Sequence, residues 1–266
     1  MSYDSTAKKR DNVQTRGIYQ SSPLGTGLFV GLRSADPLLQ YAILSRNLGA
    51  PLLQRLGTSA LAPGPPLITG LSFLDRLSLS PYRLILLLMS VGSAVKQQYW
   101  LLRIANEVIY PSGAIGVSIF NTVVNSLNSV FFICTATSAS NNGEHFPQTP
   151  LLVGSALYVV GILTETVSEV QRRAFKRRPK NKGKVCDEGL WALARHVNYA
   201  GYTLWRSGYA LAAGGWIWGA VVAGGFTYDF LARAIPVLDH YCQERYAEQW
   251  TQFKQKVPYK FLPYIY

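Results

Sequence analysis

Residues 199–238, "YAGYTLWRSGYALAAGGWIWGAVVAGGFTYDFLARAIPVL", form one long apolar run in which only Arg206, Asp229 and Arg233 carry charge. Such a run is about double the roughly 20 residues that carry a helix across a bilayer. Gly214-Gly215 near its centre is a natural turn. The run therefore predicts two membrane-crossing arms. Three further apolar runs, at 82–105, 112–139 and 150–170, each have the length of one crossing. The expected fold is an all-α integral membrane protein, a bundle of about five transmembrane helices with an amphipathic C-terminal helix. Charged residues make up 15% of the chain, below the roughly 25% of soluble domains.

The rest of the chain fits around that bundle. Residues 1–24 are polar and basic, with no apolar segment that would make them a signal peptide, and are expected to be a disordered tail. Residues 25–81 combine a helix that is apolar on one face, suited to an interfacial or re-entrant position, with a Pro/Gly-rich connection. Residues 82–266 form the membrane domain. Cys134, Cys186 and Cys242 have no metal-ligand or CxxC spacing and read as reduced thiols, with no metal site.

The net charge of +12 is concentrated in "RRAFKRRPKNKGK", residues 172–184, which hold eight Lys or Arg and no acid. Directly after a span, this places the loop on the cytosolic side. Its cations suit anionic headgroups at about 1 kcal/mol each, or a phosphate-bearing cofactor. No nucleic-acid partner is expected. Residues 238–256 read as an amphipathic helix stopped by Pro258, with an aromatic tail after it.

Polar side chains inside lipid are costly, so each is expected to have a partner or a cavity. Asn121, Asn125 and Asn128 share one helical face, either as interhelical amide bonds or as the lining of a substrate cavity. Glu165 and Glu169 lie one turn apart with Arg172 and Arg173 beyond them, an ion-paired helix end or a carboxylate pair for ribose or substrate. Arg206 and Asp229 fall on the two arms of the last hairpin, where they could pair.

Two blocks carry a family pattern. The first is Gly189-Leu190-Trp191, Arg195-His196, Asn198-Tyr199 and Gly201. The second is Cys242, Tyr246, Trp250, Val257-Pro258-Tyr259 and Pro263-Tyr264-Ile265-Tyr266. Across roughly 165–266 they resemble the membrane sterol and steroid reductases, a superfamily that includes the isoprenylcysteine carboxyl methyltransferases and an uncharacterised reductase-like branch, which this chain resembles most. Two positions depart from the pattern: Val197 stands where Pro is usual, and Tyr202 where an acid is usual. The stretch 233–241 keeps only Asp239 as an acid.

The resemblance implies a multi-pass enzyme of the endoplasmic reticulum membrane, with the 172–184 loop and the C-terminus cytosolic and a lipophilic substrate taken from the bilayer. The leading expectation is NADPH-dependent reduction of a carbon-carbon double bond in a sterol, steroid, terpenoid or polyketide-like molecule. The alternatives are methyl transfer from S-adenosylmethionine, as in the isoprenylcysteine enzymes, and a cofactor-independent isomerase or cyclase. By the same resemblance, Tyr199, Tyr202, Glu165 and His240 are the catalytic candidates. Lys176, Arg178, Lys182, Lys184, Trp191, Arg195, His196, Asn198, Asp239, Glu244, Tyr246 and Trp250 would hold the cofactor.

Overall fold

The computed structural model describes residues 20–105, 107–140 and 145–266. Most of the tail expected at 1–24 lies outside them, and the first helix among the described residues is α1, Pro23–Arg46. It is followed by α2 (Pro81–Tyr99), α3 (Pro111–Ile133), α4 (Thr149–Arg177), α5 (Val197–Asp229), α6 (Ile235–Tyr246) and α7 (Glu248–Lys256). Proline opens α1, α2 and α3 within their first two positions, where its missing N–H has no helical partner to lose. Among the described residues there is no strand, only an isolated antiparallel bridge, Ala60 to Cys134, in the Pro/Gly-rich connection.

Among the described residues, three helices are long and apolar enough to cross a membrane: Pro111–Ile133, Thr149–Arg177 and the stretch Val197–Tyr246, which is broken at Gly214-Gly215. The expectation is about five spans, two of them in the 199–238 run. The 82–105 run loses apolar character to Arg83, Lys96 and two glutamines. The two arms predicted for 199–238 are both helical and meet at a break in the helical backbone at Gly214 and Gly215, the latter with a φ of 73° and ψ of −170° that are open to glycine alone.

The described residues divide into two compact units, 20–156 with 207–220, and 157–206 with 221–266. In the first, the polar residues point inward. Arg33, Asp36 and Gln40 of α1 are at most 2% exposed, while Leu24, Leu38 and, on α3, Ile119 and Val123 are exposed. An exterior of this kind matches lipid, and an interior of this kind holds helices by hydrogen bonds. Arg33 Nε donates to Gln97 Oε1 at 2.7 Å, and its Nη2 lies 3.2 Å from Asp36 Oδ2. Gln97 Nε2 donates to Asn121 Oδ1 at 2.6 Å, and Asn125 Nδ2 to Asp36 Oδ2 at 2.6 Å. Gln40 extends the ladder to Asp36, Ser126 and Ser129. At the end of α1, the buried Arg83 guanidinium donates to the carbonyls of Leu44, Leu61 and Ala62 and to the Asn47 side chain.

In the second unit, the C-terminal half of α4 lies directly on the first arm of α5. A side chain added at Gly161 would stand 2.4 Å from Trp205 N, and one at Gly201 would stand 2.6 Å from Glu165 N. Only glycine at both positions permits this backbone approach. The second arm returns beside the first, with Tyr202 5.2 Å from Phe226 and 5.6 Å from Phe230, measured between ring centroids. A π-helical turn, Phe230–Ala234, joins α5 to α6. Its one extra residue per turn resets the direction in which α6 sets out.

Candidate functional site

The Arg195-His196-Asn198 turn precedes and opens α5, and the C-terminal segment is fastened along it. Arg195 N donates to Tyr259 O at 3.0 Å and His196 N to Lys260 O at 2.9 Å. The Arg195 guanidinium adds bonds from Nη1 to Val257 O at 2.6 Å and Pro258 O at 3.0 Å. Burial pulls this guanidinium below its ordinary pKa, against the opposing charge of Asp239. Arg195, expected on a cofactor phosphate, thus points at backbone carbonyls.

His196 is 1% exposed. Its Nε2 lies 3.5 Å from Asp239 Oδ1, on the first turns of α6 beyond the π-helical turn. Its ring stacks on Tyr199 at 5.8 Å, and Tyr199 stacks on Phe230 at 4.5 Å with the planes 2° apart. Trp250 of α7 stands edge-on to His196 at 6.5 Å. The Asp239 side chain is 30% exposed, and Tyr199 and Phe230 are partly exposed beside it. Beside it three buried polar atoms have no hydrogen-bond partner among the described residues: Arg195 Nε, Asn198 Oδ1 and Trp250 Nε1. Unmatched buried donors and acceptors are rare in folded chains, and each needs a ligand, a water or a reason.

The other expected site residues find partners of their own. Asn198 Nδ2 donates to Glu169 Oε1 at 2.9 Å, and Arg172 pairs with Glu169 at 2.6 Å. Glu165 accepts the Trp205 indole N–H at 2.7 Å. Tyr202 OH receives Arg206 Nε at 3.1 Å, while Asp229 takes Arg233 through two 2.7 Å bonds, so the pairing expected between Arg206 and Asp229 gives way to these. Trp191 is buried, donates to Ser168 O at 2.7 Å and has the Arg172 guanidinium 5.5 Å from its ring centre. His240 and Glu244 face each other at 3.3 Å on the exposed side of α6.

The loop cations do not converge on that site. Lys176 donates to Lys184 O and, at 2.9 Å, to Tyr246 OH; Arg178 pairs with Glu188 at 3.1 Å; Lys182 and Lys184 are exposed. The asparagine stripe belongs to the first unit: Asn121 and Asn125 enter its polar ladder, and Asn128 Oδ1 accepts the Trp218 indole N–H at 2.7 Å. These are the interhelical amide bonds that its spacing allowed. Phe230 and the carbonyls of 257–260 are site components that sequence reasoning missed. The first depends on the π-helical turn and the second on a fastened tail, and neither leaves a periodic mark.

The apolar helices and the buried polar interior describe a membrane protein, with a candidate site at the head of α5. Residues 95–257 match a family model described as "Protein of unknown function (DUF1295)". The chain belongs to this steroid-reductase-like family, as its two motif blocks led one to expect. It is 43% identical over 241 residues to the probable O-methyltransferase ustE of Ustilaginoidea virens, covering 90% of this chain and 84% of that protein. It is 24% identical over 133 residues to the Delta(14)-sterol reductase of Arabidopsis thaliana, 44% of this chain and 34% of that one. It is 26% identical over 115 residues to protein-S-isoprenylcysteine O-methyltransferase B of the same plant, 43% of this chain and 57% of the relative. The chain thus spans about a third of the sterol reductase and over half of the isoprenylcysteine enzyme.

Proposed function

We propose that this chain is a membrane O-methyltransferase that uses S-adenosylmethionine to methylate an oxygen of a lipophilic acceptor taken from the bilayer. The observation that carries the reading is the site's character: a carboxylate, Asp239, at the mouth of an aromatic group made by His196, Tyr199, Phe230 and Trp250. Carboxylates and aromatic faces attract a cation, and the sulfonium cofactor is one. The expected phosphate donors Arg195, Lys176 and Arg178 are meanwhile turned to protein acceptors. The likeness to a probable O-methyltransferase over nine tenths of the chain supports the same reading.

The cofactor would supply an activated methyl group for direct transfer to oxygen. The chain's own contribution is binding and positioning. His196 holds Asp239 from behind, and the unmatched Trp250 and Arg195 N–H donors with the Asn198 oxygen acceptor suit the polar edges of a nucleoside. The packed helices exclude water, which would otherwise compete for the methyl group. The endoplasmic reticulum membrane, with the 172–184 loop and C-terminus cytosolic, is the location this reading adopts.

NADPH-dependent reduction of a carbon-carbon double bond is the second reading, and one contact favours it: the Arg206 guanidinium donates to Tyr202 OH, the arrangement that would support a tyrosine proton donor. Titrating the detergent-purified protein with S-adenosylmethionine, NADPH and NADH in a thermal-shift assay separates the two. A bound ligand at a hundredfold excess over its Kd stabilises by about 2.7 kcal/mol. Stabilisation by S-adenosylmethionine that disappears in Asp239→Asn is the expected result; stabilisation by NADPH alone would replace this reading with the second.

A further inference from the structure

A separate groove of about 360 Å³ lies between the 181–188 segment and α7. Its volume falls within the range of small-molecule sites. Phe175 and Phe253, each 5% exposed, give it an apolar floor, and Lys184, Lys256, Asp187 and Glu188 surround that floor. Lys256 Nζ and Asp187 Oδ2 meet at 2.6 Å, with their side chains 63% and 36% exposed. Glu188 is held at the rim by Arg178 at 3.1 Å.

We propose that this groove is a ligand site for a zwitterionic group, its anionic end received by Lys184 and Lys256 and its ammonium by Asp187 and Glu188. A simple anion would meet the two carboxylates as well as the two ammonium groups, and a simple cation the reverse. Only a molecule carrying both charges satisfies both sets. The Lys256–Asp187 pair is solvent-exposed and therefore costs little to open, since such pairs contribute about 0–1 kcal/mol. A ligand that replaces it gains two charge-assisted bonds over an apolar floor. A zwitterion of this kind has two sources beside a membrane, the phosphoethanolamine headgroup of a lipid and the amino-acid end of a soluble metabolite. The inference stands independently of the methyl-transfer reading, because its residues are other than those of the His196 site.

The test is calorimetry on the full chain in detergent, with glycerophosphoethanolamine, methionine, inorganic phosphate and ethylamine as probes, and with Lys256→Gln and Asp187→Asn as variants. At least one of the two zwitterions binds, more tightly than phosphate or ethylamine, and each variant weakens it on the order of tenfold, as loss of one charged hydrogen bond does. Binding of glycerophosphoethanolamine, with phosphatidylethanolamine retained in native mass spectra of protein extracted from vesicles containing it, assigns the lipid source; binding of methionine alone assigns the soluble one. Failure of both zwitterions to bind, equal binding of phosphate, or affinities unchanged in both variants would overturn the proposal. Unfolding temperatures of the variants confirm that they fold. S-adenosylmethionine carries the same amino-acid end as methionine, so the His196 site is read instead from Asp239→Asn. That variant is titrated with S-adenosylmethionine and with the zwitterion probes, and either reading can fail alone.

Discussion

The polar ladder of the first unit and the turn at the head of α5 in the second treat buried polar groups differently. In the first, Arg33, Asp36, Gln40, Gln97, Asn121 and Asn125 form one ladder in which each side chain's partner is another side chain of the ladder. In the second, Arg195, Asn198 and Trp250 each keep a buried polar atom without a partner among the described residues. Both arrangements are costly to build in an apolar bundle, where an unpaired polar group forfeits its hydration. The ladder recovers that cost within the fold and acts as helix-to-helix glue. The unmatched group recovers it only when something else supplies the missing partners, which is the property of a binding site. Intramembrane polarity alone does not separate the two cases; satisfaction does.

The comparison is most easily broken at Asp36. Replacing it with Ala leaves Arg33 buried without its carboxylate, which costs about 3–5 kcal/mol, and should lower the unfolding temperature strongly while leaving the ligand affinity of whatever folds nearly unchanged. A large affinity loss in that variant would mean the ladder is part of the site. Next in size is Gly201→Ala, where the added carbon meets Glu165 N at 2.6 Å. Overpacking of this kind costs about 1–3 kcal/mol, and here it also shifts the turn that carries His196, so stability and cofactor affinity should fall together in a thermal-shift titration.

Trp250→Phe sharpens the contrast. It keeps a six-membered aromatic ring and removes the pyrrole ring with its N–H, which has no partner among the described residues. Stability should change by less than about 1 kcal/mol, while affinity for S-adenosylmethionine falls on the order of tenfold, the effect of one lost hydrogen bond. A marked loss of stability with unchanged affinity would turn Trp250 into ordinary packing. The smallest effect is at Cys186, whose thiol burial pushes above its ordinary pKa, against the Glu188 backbone N–H and the charges of Lys176 and Arg172. A raised pKa means less thiolate at any given pH, so alkylation by iodoacetamide at pH 8 should run about tenfold slower in the folded protein than in the denatured chain. The gap should narrow as pH rises, a trend that mass spectrometry of the modified peptide can track.

Much of this molecule was legible in its residues. The apolar runs located α3, α4 and the α5 stretch because a bilayer imposes length and composition on any helix that crosses it. Gly214-Gly215 marked the break in α5 because a positive φ selects glycine. The one-face spacing of Asn121, Asn125 and Asn128 forecast a shared inward stripe, and the Arg195-His196-Asn198 turn marked a candidate site. These are local properties, fixed by periodicity, by conformational limits of single residues, or by motif spacing.

The residues alone left open which polar group meets which. Arg195 could serve a phosphate or a carbonyl with the same atoms, and only the fastened tail at 257–260 turns it to the carbonyls. The asparagine stripe could line a cavity or join helices, and only Arg33, Asp36 and Gln40, some 80 to 90 residues away in the chain, decide for the joint. Phe230 enters the site because a π-helical turn brings its ring flat onto Tyr199. A hydrogen bond between distant segments depends on where the backbones cross, which no local pattern encodes. The sequence by itself determined a helical membrane protein and the address of a candidate site; the tertiary structure decided which of its costly polar groups are paired within the fold and which are left unmatched.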